Sequence, residues 1–140
     1  MAKYRFEVDG IATIDDTQTQ SNSSIQDIRI ICDTKDNDNY ERATSVIVMI
    51  EATIRIEEAT KDECRSLMDW ALTVSGDGVY KTVNITVQDT NSEIRNISIP
   101  DVFCKNYQEH YFLNADGNET NCLTLNMIQH RGKTSEITNT

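Results

Sequence analysis

Cysteine, histidine and carboxylate side chains are the groups best able to hold a metal or carry a reaction, and here they form no familiar constellation. Cys104, His110, Cys122 and His130 could together offer two thiolates and two imidazoles to a zinc ion. Zinc ligands come in close pairs on a knuckle, and these separations match neither a ribbon nor a finger. Two of the four also fall inside strand patterns, so ordinary packed cysteines and surface histidines are the better reading. Asp36, Asn37, Asp38 and Asn39 follow the opening pattern of a calcium loop, but Glu41 stands at the sixth place, where glycine belongs, and no glutamate follows at the twelfth. A solvated acidic loop explains them. The chain has no G-x-S-x-G, no H-E-x-x-H and no glycine-rich phosphate loop. No metal, no cofactor and no enzymatic activity are therefore expected. Trp70, Tyr107, Tyr111 and Phe112 could wall a ligand site, although core packing accounts for them more simply. Four N-x-[ST] tripeptides, at Asn22, Asn84, Asn96 and Asn118, are few enough to arise by chance in so Asn-, Ser- and Thr-rich a chain.

The elements that must position these groups are one helix and a set of strands. Thr60 with Glu63 three residues on reads as a capping box opening a helix over Thr60–Val74. Cys64, Leu67, Met68, Ala71 and Leu72 follow at spacings of three and four, predicting one apolar face, and Ser75-Gly76-Asp77-Gly78 stops the helix. Elsewhere the pattern has period two. Tyr4, Phe6 and Val8 predict a strand, as do Ile28, Ile30 and Cys32. Ser45–Glu57 is the strongest strand, apolar on both faces at its start, which predicts cover on both sides there, from its own fold or from another subunit. Val79–Gln88 and Ile94–Ile99 predict a hairpin around Asp89-Thr90-Asn91-Ser92, with Pro100 ending the return strand. Val102–Leu113 and Cys122–Ile128 predict two more strands joined at Asn114–Asn118. The fold class is α+β, mainly antiparallel β: a small barrel or two packed sheets with one flanking helix at about 60–74.

The 140 residues suffice for one domain, taken as residues 1–131, followed by a flexible polar tail at 132–140. The stretch from Gln18 to Ser24 is likewise expected to be mobile. A formal net charge of -10 argues against affinity for nucleic acid or an anionic membrane surface. No run of about 18 apolar residues exists to insert into a membrane, and no signal peptide is recognisable, so a cytoplasmic origin is expected. Cys32, Cys64, Cys104 and Cys122 lie far apart within apolar patterns and read as buried free thiols. Asp33–Thr44 breaks every pattern, and long polar loops of this kind commonly make contacts.

The order of elements resembles the tube-protein family of contractile injection systems, which includes the haemolysin-coregulated protein of type VI secretion and the tail-tube proteins of contractile phages. Val79–Gln88 looks like the strand after the family's helix. The segment from Ile97 through Pro100, Cys104 and His110 to Tyr111 looks like its strand–turn–strand, and Cys122–Gln129 like its last strand. The resemblance implies a structural subunit forming homohexameric rings that stack into a hollow tube, with sheath and baseplate proteins as further partners. It places the subunit, once assembled, in a particle tail or exported with the tube. It also implies that Asp36, Asn37, Asp38, Asn39, Tyr40, Glu41 and Arg42 belong to the extended loop that reaches the neighbouring ring. A soluble β-sandwich binding carbohydrate or protein is the alternative, and it would display an aromatic platform near Tyr107–Phe112.

Overall fold

The computed structural model describes residues 2–18, 23–34 and 46–140. Eight strands and one α-helix run through them: β1 (Ala2–Val8), β2 (Ala12–Asp15), β3 (Ile25–Thr34), β4 (Val46–Arg55), α1 (Lys61–Ala71), β5 (Lys81–Asp89), β6 (Ser92–Leu113), β7 (Glu119–Gln129) and β8 (Thr138–Asn139). All pair antiparallel, in the order β2-β1-β5-β6-β7-β4-β3, with β8 against β6. The class is α+β and mainly antiparallel, as expected. The architecture is neither a closed barrel nor two separate sheets, because one continuous sheet ends in open edges at β2 and β3 among the described residues. That sheet curls on itself, and Tyr4, Ile28, Ile30, Ile85 and Ile97 from four strands line one cleft along the unzipped seam.

Period-two alternation works as anticipated. Phe6 and Val8, Val48 to Ile54, Val83 and Ile85, Ile97 and Ile99, and Leu123 to Met127 send alternate side chains into one core. The helix then lies against β2 and β6, but with a different stripe. Cys64, Leu67 and Trp70 are buried, whereas Met68 is 42% and Leu72 67% exposed. Trp70 decides this: its indole carries the largest apolar area on the helix, and its Nε1–H donates to the Val79 carbonyl at 2.8 Å. The helix ends at Ala71, three residues short of Val74.

The expected Thr60–Glu63 box is also displaced. Thr60 is buried in the turn before the helix, where its Oγ1 accepts from the Glu57 N–H (3.1 Å) and donates to the Arg55 carbonyl (2.7 Å). One end of the stretch expected to be mobile is fixed as well, for Ser24 is buried and the backbone N–H groups of Ser24 and Ile25 donate to the Asp16 carboxylate at 3.1 and 2.8 Å.

β6 does not end at Pro100. It runs through 22 residues with three bulges, at Ile94, at Pro100–Asp101 between the pairs Val83–Ile99 and Lys81–Val102, and at Lys105. A bulge admits proline without losing a ladder bond and lets the strand bend. The bulge at Pro100–Asp101 is also where β6 changes neighbours. Its first half pairs with β5, and its second half pairs with β7. Residues 132–140, expected to be a free tail, instead return along β6: Ser98 pairs with Thr138 and Ile97 with Asn139, and Ile137 packs on the core.

Candidate functional site

Sequence reasoning singled out Asp36, Asn37, Asp38, Asn39, Tyr40, Glu41 and Arg42, and all seven lie outside the described residues. The four candidate zinc ligands are scattered. His110 faces Cys122 across the β6–β7 ladder, Cys104 faces Met127, and the His130 ring stands 5.2 Å from that of Tyr80. Among the described residues no three His, Cys, Asp or Glu side chains converge as a metal site would require. All four cysteines are free thiols, but only Cys64 is buried; Cys104 and Cys122 are half-buried and Cys32 is exposed. Burial pushes the Cys104 thiol up to about 11, so at neutral pH it is protonated and a poor nucleophile.

The aromatic side chains divide among three settings. Trp70 belongs to the core and Tyr107 is packed against it. Tyr111 and Phe112 are 62% and 50% exposed, and as successive strand residues they face opposite sides of the β6–β7 arm. The Tyr111 hydroxyl donates to Glu109 at 2.9 Å, which holds its pKa above the usual phenol value.

What the ladder does bring together is apolar. On the face of the sheet opposite the core, Ile31 pairs with Met49, Met49 with Ile128, and Ile128 with Phe103. These four side chains make a single row across four strands, and Tyr80 extends it, its ring 6.2 Å from that of Phe103 in edge-to-face geometry. Beside the row, the bulge at Lys105 opens a cleft of about 170 Å³ lined by Ile31, Met49, Glu51, Lys105, Asn126 and Ile128, among others. Among the described residues no helix covers it, because α1 sends Cys64, Leu67 and Trp70 into the core on the opposite face. The next row of the same face, Arg29–Glu51–Asn126–Asn106, is polar.

A second unpaired surface is the outer end of the β6–β7 hairpin. The β4 ladder covers β7 only from Cys122 to Ile128, and the β5 ladder leaves β6 after Val102. Beyond those limits the two strands continue as an arm to the Asn114–Asn118 turn. The Asn114 side chain closes that turn by accepting the N–H groups of Asp116 (3.0 Å) and Asn118 (2.9 Å). Tyr111, Phe112 and Leu113 are exposed at its end. The doubly apolar start of β4 predicted cover on both sides, and the described residues leave Val46, Ile47 and Met49 only half-buried. The register that aligns the four members of the row across strands has no counterpart in the sequence.

No protein-family model matches the chain, and no characterised protein matches its sequence. Solved structures do match its fold. The crystal structure of Hcp1 from Salmonella typhimurium aligns with 99% of this chain and 92% of its own, at a TM-score of 0.59 and 7% identity. The structure of Hcp1 from Flavobacterium johnsoniae aligns with 94% of this chain and 95% of its own, at a TM-score of 0.57 and 13% identity. At such identities the likeness establishes a shared fold over nearly the full length of each chain.

Proposed function

We propose that this protein is a structural subunit which self-assembles into hexameric rings, stacked as the hollow inner tube of a contractile injection system or phage-like tail. The observation that carries the reading is the end-to-end fold shared with two Hcp1 structures, together with an apolar sheet row in which Ile31 is exposed and Met49, Phe103 and Ile128 are half-buried, and a projecting arm that exposes Tyr111, Phe112 and Leu113. Exposed apolar patches of this kind mark contact surfaces, and open strand edges such as β2 and β3 are hazards unless they are paired or protected. Assembly supplies cover without any catalytic centre. Sheath and baseplate proteins would be the outer and end partners, and the route would run from cytoplasmic synthesis to a particle tail or to export with the tube. Residues 36–42, between β3 and β4, remain the proposed ring-stacking loop.

The competing reading is a monomeric carbohydrate- or protein-binding module, and exposed Tyr111 and Phe112 speak for it. They point to opposite faces, however, and so offer no common platform. Electron microscopy of the concentrated protein separates the two: annular particles or tubes are expected, and monomers at every concentration would overturn the tube reading.

A further inference from the structure

A half-covered apolar row and an exposed apolar arm on one chain raise the question of whether each covers the other. They cannot do so within a molecule. Phe112 and the row lie on the same face of the β6–β7 ladder, since Phe112, His110, Gln108 and Asn106 alternate along it. Six residues of extended strand, about 20 Å, separate Phe112 from the Asn106 end of the cleft. A hydrogen-bonded two-stranded arm does not fold back over that distance. We propose that copies of this chain join head to tail, the β6–β7 arm of one copy seating Phe112 in the cleft beside the Ile31–Met49–Ile128–Phe103 row of the next. The proposal rests on the self-assembly reading above and names the two surfaces that meet.

Size and charge both favour a second copy as the occupant. A cavity of roughly 150 Å³ accepts a benzene ring, and this cleft measures about 170 Å³. Residues 106–121 contain Glu109, Asp116 and Glu119 and no lysine or arginine, so the arm is acidic as well as apolar. The cleft carries Lys105 at its rim, and Arg131 follows His130 at the far end of the row, on a chain whose net charge is -10. Glu51, the one acidic group lining the cleft, is paired in register with Arg29 of β3. Such complementarity sets orientation more than strength. The contact joins two different surfaces, so each added copy presents a fresh arm and a fresh row. Heterologous contacts of this kind close into rings or grow as filaments.

The test uses the full chain and two variants, Phe112→Asp at an exposed position in the arm and Met49→Glu at a half-buried one in the row. Unchanged circular dichroism and melting temperature establish that each is folded, and Ile31→Glu on edge strand β3 replaces Met49→Glu if that variant melts early. Each variant alone should associate about a hundredfold more weakly than wild type in sedimentation velocity, as loss of a central aromatic anchor implies. Mixed one to one, they should form a dimer and nothing larger, because only one intact arm and one intact row remain. A photo-crosslinking phenylalanine analogue at position 112 should be captured on peptides containing Met49 or Ile128. Wild-type assembly that survives Phe112→Asp, a mixture that stays monomeric, or capture elsewhere overturns the proposal and leaves the tube reading standing. A wild type that never assembles overturns both.

Discussion

Thr60 shows how much one hydroxyl can hold. It is 3% exposed, and its oxygen accepts from the Glu57 N–H, donates to the Arg55 carbonyl and lies 3.7 Å from the Cys64 thiol. Thr60→Val keeps the volume and strands these buried groups, so it should cost about 1–3 kcal/mol, read as a lower urea midpoint with unchanged slope. Cys104 gives a second prediction. Its thiol is raised from 9.0 to about 11 by burial, so at pH 8 iodoacetamide should modify exposed Cys32 well before Cys104. The folded state favours the protonated thiol. The associated stability is therefore complete below pH 9 and falls away as pH rises toward 11, which chemical melts across that window would register. The sequence placed Cys32 and Cys104 within apolar strand patterns, and the ladder agrees: Cys32 faces buried Val48, and Cys104 faces buried Met127. Alternation reports which face a residue occupies. It does not report how far that face is covered, and β3 is an edge strand.

Among the elements, those legible beforehand were the ones whose pattern is local. β1, β4, β5 and β7 follow from period-two runs, and both hairpin turns follow from their Asn, Asp and Gly content. What escaped was set by distant partners. The helix turned to bury Trp70 because Val79 supplies a carbonyl for its indole, and Pro100 became a bulge because β6 changes neighbours there, its Asp101 carbonyl accepting the His130 N–H at 2.7 Å. The final residues became a strand because β6 has a free edge at Ile97–Ser98. One turn retains strain. Thr90, in the two-residue loop between β5 and β6, has φ of 56°, a region that a β-branched residue occupies at a cost of about 1–2 kcal/mol. Glycine removes that cost but loses roughly 0.5–1 kcal/mol through its freer unfolded chain. Thr90→Gly should still raise the melting temperature by a few degrees, and scanning calorimetry showing a decrease would mean that the Thr90 side chain makes compensating contacts.

At the scale of the whole molecule, two forces oppose each other. The apolar row and arm favour association, while the net charge of -10 on every copy resists it. Screening decides which dominates at a given ionic strength. At about 0.01 M salt the Debye length is roughly 30 Å, comparable with the subunit itself, so whole copies repel; at about 1 M it is roughly 3 Å, and the repulsion vanishes while burial of Phe112 against Met49 and Ile128 is untouched. The rim pairing of Lys105 with an acidic arm is a solvent-exposed interaction, worth at most about 1 kcal/mol, too little to reverse that trend. Added sodium chloride should therefore drive monomers into larger species in sedimentation velocity. Lowering the pH toward the sequence pI of about 4.5 should act in the same direction by shrinking the net charge. If salt instead dissolved the assemblies, ion pairs would be holding them, and the contact would lie on the charged surfaces rather than on the apolar row.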